Sequence, residues 1–257
     1  MQKDNQNSFM PTAINSTVIN STVINPRDAR ANRLLDKLPA ENYERLLPSL
    51  EFVNLTLGEF LYHSGDVMTY LYFPTTAIVS LLYTMENGST AEMGMVGRCG
   101  AVGIALFMGG NTTTNQAIVQ IAGGAFRVKA KIIRDEFGRG GSTQMLLLRY
   151  TQSLITHVSQ AAVCNRLHTF EQRLCRWLLY SHDCLQTDEI ILTQEIISHL
   201  LGVRREGVTV AAGRLQDAGI IRYVRGHIRI LDRRKLEAGA CECYTVVRDE
   251  YERLLTL

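Results

Sequence analysis

The segment from Thr193 to Leu231 constrains the fold of this chain more than any other. Its core reads Leu192-Thr-Gln-Glu-Ile-Ile-Ser-His-Leu-Leu-Gly-Val-Arg-Arg-Glu-Gly-Val-Thr-Val-Ala-Ala-Gly-Arg-Leu215, which predicts two short helices crossing at a tight turn. Thr193 is a natural N-cap, with Gln194 and Glu195 in the first turn at the helix's positive end. Ile197 and Leu201 share one face, and Ser198 is small enough for a second helix to cross closely. Gly202 supplies the left-handed residue that ends the first helix. Val203, Val208, Ala211 and Leu215 then form the buried face of the second helix. Ile221-Arg-Tyr-Val-Arg-Gly-His-Ile-Arg-Ile230 alternates around Arg225-Gly226. It predicts a two-stranded hairpin with Ile221, Tyr223, Ile228 and Ile230 inward, and Arg222, His227 and Arg229 outward.

The second helix leaves Arg204, Arg205, Glu206, Thr209, Val210 and Gly213 exposed. Arginine pairs in bidentate fashion with guanine, and glutamate accepts from cytosine N4, so an Arg-Glu pair in the first turn suits base readout in a major groove. The competing reading is an ordinary pair of amphipathic helices whose arginines are a solvated face. The hairpin and the small-residue crossing favour the helix-turn-helix. Net charge is only +2, too little to indicate nucleic acid, but charge is uneven. Nine basic residues stand against four acidic ones between Thr193 and Lys235, an excess that suits a phosphate backbone.

The 257 residues, 46% hydrophobic and 20% charged, are enough for one or two soluble globular domains. No apolar run is long enough to span a bilayer, no secretion signal opens the sequence, and six cysteines form no disulfide-scaffold pattern, so a reducing cytoplasm is expected. Residues 1–30, with the repeat Ile14-Asn-Ser-Thr-Val18 and Ile19-Asn-Ser-Thr-Val23, are expected to be a flexible extension. Helical spacing recurs from Ala31 to Leu50. Short apolar runs broken by Gly, Asn, Asp and Thr then predict a β domain, closed or double-sheeted, within residues 31–140. Residues 141–164 predict a long helix in which Leu147, Thr151, Leu154, Val158 and Ala161 alternate at spacings of four and three. That is a coiled-coil-like seam expected to hold a dimer; the alternative is a helix buried against its own β domain. Residues 165–257 carry another amphipathic helix, with Phe170, Leu174, Trp177 and Leu178, and then the helix-turn-helix. The fold class is α+β.

In this order of elements the chain resembles the CRP/FNR family of bacterial transcription regulators. The likeness runs from about residue 31 onward and is strongest in Leu192-Thr-Gln-Glu, in Leu201-Gly-Val-Arg-Arg-Glu and in Arg225-Gly-His-Ile; Gly58-Glu-Phe-Leu-Tyr-His-Ser-Gly65 is similar to the family's early β-roll. It implies a cyclic-nucleotide-binding-like β-roll (jelly roll), a long dimerisation helix and a C-terminal winged helix-turn-helix. The resemblance puts Arg205, Glu206 and Val210 at base-reading positions, with Val210 where the cAMP-responsive members usually have Arg. Thr193, Arg204, Thr209, Arg214, His227 and Arg229 are the candidate phosphate contacts. The implied partners are palindromic double-stranded DNA, a second copy of the chain and RNA polymerase, with no membrane.

Gly97, Arg98, Gly100 and Gly103 form a candidate ligand loop, because glycines let backbone N–H groups approach a phosphate; the plainer reading is tight turns. The family's cyclic-nucleotide cassette has a Glu for the ribose and an Arg for the cyclic phosphate. The corresponding residues here are Gly100-Ala101-Val102 and Asn115-Gln116-Ala117. Both charged groups are absent, so cAMP is not expected to bind. The cysteine cluster of the iron–sulfur members has no counterpart before Cys99. Cys241-Glu-Cys243 is a short pair beyond the hairpin that could hold a metal or respond to oxidation. Zinc sites usually need two such pairs, so no metal is expected, and Cys164, Cys175 and Cys184 read as buried small residues. His157 and His168 are available for haem but nothing singles them out. No resident cofactor is expected, and the effector is left open. Two other functions compete: a signalling module whose DNA role has decayed, since Gly207 and Gly213 weaken the second helix, and an enzyme on the β domain. His63 stands alone there, without the ligand spacing such chemistry needs.

Overall fold

The computed structural model describes residue 25 and residues 27–256; the N-terminal repeat lies outside them. Helices α1 (Arg33–Asp36) and α2 (Ala40–Leu46) lead into strands β1 (Glu51–Leu55), β2 (Phe60–Tyr62), β3 (Tyr70–Pro74), β4 (Ile78–Thr84), β5 (Thr90–Val96), β6 (Gln116–Ile121) and β7 (Gly123–Lys129). These form two antiparallel sheets, ordered β1-β7-β3 and β2-β6-β4-β5. The non-sequential order follows from the alternating runs: each strand buries one face, and two sheets face to face cover both apolar sides. The core between them includes Leu71, Phe73, Val79, Val119 and Val128. This is the expected β-roll.

Helix α3 (Ala130–Gly138) precedes α4 (Gly141–Leu167), which runs three residues beyond the predicted end. A capping box at Thr169 and Gln172 starts α5 (Phe170–Leu185), satisfying two N-terminal amides reciprocally. Then come β8 (Glu189–Ile191), α6 (Gln194–Leu201), α7 (Arg205–Asp217), β9 (Ile221–Val224), β10 (His227–Ile230), α8 (Arg233–Gly239) and α9 (Cys243–Leu255). The hairpin was expected to be two-stranded. It is a three-stranded sheet, β8-β10-β9, because Ile190 supplies an apolar residue opposite Ile228.

The seam predicted on α4 needs correction. Leu147, Thr151, Leu154 and Ala161 are buried within the chain, and Val158 packs against the same core. They face the β-roll and α9, so they are not available to a second helix. One residue on, and thus rotated by about 100°, Leu148, Gln152, Ile155, Ser159 and Ala162 repeat the same spacing of four and three and are all exposed. Met145 extends that stripe.

The β-roll and the helix-turn-helix part share a second core. Ile78 of β4 and Met95 of β5 pack with Leu174, Trp177 and Leu178 of α5 and with the helix-turn-helix. Helix α9 begins in this half and ends in the other: Tyr244 belongs to the second core, Leu254 and Leu255 to the first.

Candidate nucleic-acid interface

Thr193 caps α6 as expected, its hydroxyl accepting from Ile196 N–H at 3.3 Å. Gly202 ends the helix at φ 62°, a backbone conformation costly for any residue with a Cβ. Arg173 of α5 donates to the Leu201 carbonyl, so the last turn of α6 has a cationic partner at its negative end. Val208, Ala211 and Leu215 of α7 are buried, joined by Ala212. Gln194 of α6 accepts from the Thr209 hydroxyl at 2.9 Å, which fixes the crossing of the two helices.

The wing is tied to this pair from three sides. Tyr223 donates its hydroxyl to the Leu192 carbonyl at 2.8 Å, its N–H bonds Gln216 at 2.9 Å, and Leu192 N–H donates to the Gly226 carbonyl at 2.7 Å. Arg225 and Gly226 both have positive φ, the two-residue hairpin turn that matches strand twist.

Arg204, Arg205, Glu206, Thr209 and Val210 are exposed, with Val210 56% exposed although it is apolar. Among the described residues no carboxylate pairs with Arg204, Arg205, Arg222, Arg225 or Arg229. A cluster of cations without internal partners remains available to an external anion. Two predicted phosphate contacts lie beside carboxylates. Arg214 lies 3.4 Å from Glu171 in an exposed pair, and His227 Nδ1 is 2.8 Å from Glu189 of β8, so the imidazole is held back by the third strand.

With this geometry in view, the comparisons with known proteins are decisive for the C-terminal part. Residues 172–238 match the Crp-like helix-turn-helix domain. The chain carries a Crp-like helix-turn-helix domain. No match is found among curated proteins. Solved structures extend the likeness to the whole fold. FixK2 from Bradyrhizobium japonicum is 17% identical, covering 75% of this chain and 98% of its own, with a TM-score of 0.64. A CRP-family transcriptional regulator from Thermus thermophilus is 16% identical, with 73% and 96% covered and a TM-score of 0.61. The c-di-GMP responsive global regulator CLP of Xanthomonas campestris is 15% identical, with 76% and 100% covered and a TM-score of 0.58. The Crp-like domain therefore sits in a CRP/FNR-type transcription-regulator fold, with a β-rich domain and a long helix ahead of it.

In the β-rich half, the predicted ligand loop is shaped chiefly by close packing. A Cβ on Gly97 would stand 2.6 Å from Cys184 Cβ and Sγ on α5, and one on Gly100 would stand 2.4 Å from the Tyr150 hydroxyl. Gly103 takes φ 107°. Arg98 donates its Nε–H to the Ala31 carbonyl at 3.2 Å. Gly97 and Gly100 also border a cavity of about 630 Å³ between β5, α4, α5 and α9, lined by Arg33, Arg233 and Arg248, by Asp183, Asp188 and Glu252, and by His157 and His182; Arg33 is paired with Glu252 and Arg233 with Asp183. Burial, with Arg176 nearby, lowers His157 to about 4, so that imidazole is neutral. Of the positions corresponding to the cyclic-nucleotide cassette, Ala101, Val102 and Asn115 border a different cavity, of about 210 Å³, whose lining carries no charged side chain.

Sequence reasoning missed one constellation. Cys164 in the last turn of α4, His168 just after it, Cys241, and Cys243 at the start of α9 bring four ligand atoms within 4.8 Å of one another. Cys164 therefore lies beside Cys241 and Cys243, which are not an isolated pair in space.

Proposed function

We propose that this chain is a homodimeric, sequence-specific transcription regulator acting in a reducing cytoplasm, with a sensor domain that does not respond to cAMP. The observation that carries the reading is the exposed, unpaired Arg204-Arg205 turn of α7 beside a wing bearing Arg222, Arg225 and Arg229. In this reading Arg205 and Glu206 contact base edges and Val210 contacts a thymine methyl. Arg204, Thr193 and Arg229 contact phosphates, with Thr209, Arg214 and His227 joining them where their internal partners release them. RNA polymerase is the further partner expected of a regulator.

The dimer would form along the stripe Leu148, Gln152, Ile155, Ser159 and Ala162, whose exposed side chains support it. Two recognition helices would then stand about 34 Å apart, one helical turn of DNA. The uncharged lining of the smaller cavity supports the cAMP expectation: a cyclic phosphate would lose its hydration without a charged partner. The effector would occupy the larger cavity, whose lining carries the ion pairs Arg33–Glu252 and Arg233–Asp183.

The test is selection of binding sites from random duplex DNA by the purified chain and by Arg205→Ala. A two-fold symmetric site is expected, with one guanine preference weakened by about 1–3 kcal/mol in the variant. Equal loss on all sequences would make Arg205 a phosphate contact instead. Absence of any enriched site at low salt would favour the signalling-module reading.

A further inference from the structure

We propose that Cys164, His168, Cys241 and Cys243 bind one zinc-type divalent ion in tetrahedral geometry at the joint between α4 and α5. Three thiols and one imidazole are a complete Cys₃His set, and four protein ligands leave no open position, the mark of a structural site. Thiolates select zinc over the hard cations magnesium and calcium.

The distances fit. With Zn–S about 2.3 Å and Zn–N about 2.0–2.1 Å, tetrahedral donors stand about 3.6–3.8 Å apart. Cys164 and Cys241 Sγ are 3.4 Å apart, as are Cys243 Sγ and His168 Nδ1. A disulfide would need a sulfur separation of about 2.05 Å.

The surroundings supply an independent observation. The Nδ1 atom of His168 faces the sulfurs, and Nε2 on the other side of the ring lies 3.3 Å from the Glu242 carboxylate. A carboxylate behind the imidazole fixes its tautomer and orientation toward a metal. Gln160 Nε2 donates to Cys243 Sγ at 3.2 Å, a bond suited to a thiolate. Three thiolates around a dication leave one negative charge. Arg176 is close enough to act electrostatically on Cys164, is 6% exposed, and its Nε and Nη1 have no hydrogen-bond partner. A buried guanidinium left so short of partners is explained by a charged centre beside it.

The site ties the last turn of α4 to the first turn of α9. Helix α9 continues into the sensor core, so the ion would fasten the C-terminal segment across both halves.

The test uses the full chain, produced with zinc supplied and purified under reducing conditions. Metal content is measured by mass spectrometry, and the zinc is exchanged for cobalt(II). One zinc per chain is expected, with the visible bands of tetrahedral, thiolate-bound cobalt. Both should be lost in Cys241→Ser and Cys243→Ser and kept in Cys99→Ser. Glu242→Gln should keep the cobalt bands and weaken metal affinity about 10–100-fold. Because a cysteine variant can fail to fold, titration of the metal-free wild-type chain with cobalt stands as a separate reading. Substoichiometric metal, octahedral cobalt spectra, unchanged bands in a folded Cys241→Ser, or a Cys164–Cys241 disulfide in freshly isolated protein would each overturn the assignment.

Discussion

Glu92→Gln tests how the β4–β5 sheet is fastened to α5. Glu92 lies on β5 and is buried against Ser80 of β4, with Arg176 and Trp177 of α5 beside it. Burial raises its carboxyl from 4.5 to about 7, overcoming the opposing effects of the Ser80 hydrogen bond, the Arg176 charge and Trp177. Ser80 has one hydroxyl proton and two oxygens near it, Glu92 Oε2 and Gln120 Oε1. With Gln120 so oriented, a protonated Glu92 can donate to Ser80 while Ser80 donates to Gln120 Oε1, and Gln120 Nε2 is left without a partner. A raised carboxyl means the folded state binds more protons than the unfolded state between about 4.5 and 7, so stability is highest at acid pH and falls as pH rises through that window. Between about pH 5 and pH 8 the wild-type chain should lose on the order of 2–3 kcal/mol through this group alone. Gln does not titrate, so that component of the slope should vanish in the variant. Urea unfolding of both proteins at the two pH values gives the difference directly, since all other groups titrate in both. A stability difference that stays constant with pH would refute the reasoning. A wild-type advantage growing toward pH 8 would show an ionised Glu92 held by Arg176.

Two further outcomes can be checked independently. Gly97→Ala places a Cβ 2.6 Å from Cys184, so it should cost about 1–3 kcal/mol and lower the melting temperature by several degrees; an unchanged melt would mean that the loop and α5 are not packed as described. On α4, Leu154→Ala should cost about 2–5 kcal/mol of stability, whereas Ile155→Glu, at a side chain 55% exposed, should leave the melt of the separated chain little changed and shift sedimentation toward monomer. The reverse pattern would restore the original seam.

How legible each part was in the sequence depends on how local its constraints are. Thr193, Gly202 and the alternation around Arg225-Gly226 announce their geometry within a few residues, and cap, turn and wing form where the sequence puts them. Strand β8 is three residues long, too short for alternation to register, and only its partner β10 makes it a strand. Helix α4 has two faces at the same spacing, one a residue ahead of the other, and both carry apolar side chains. Periodicity cannot choose between them; the β-roll and α9 do, by covering Leu147 and Leu154. The sulfur cluster is further from reach, since Cys164 and Cys241 are 77 residues apart and meet only because α9 folds back along α4.

These separately read features converge on one helix. Along α5, Arg176 faces Glu92, Tyr180 stacks near His157 of α4 with ring centroids 5.0 Å apart, Ser181 reaches Met95 of β5, and Cys184 meets Gly97. The spacing of these positions, four or five and then three or four residues, is a single helical stripe. The opposite end of the same helix holds Leu201 of α6 through Arg173. A shift of α5 against β5 would therefore uncover Glu92, open the Gly97–Cys184 contact and move α6 together. A ligand bound in the cavity between β5 and α5, as proposed for the effector, would touch that stripe directly and have a short, packed route to α6 and α7.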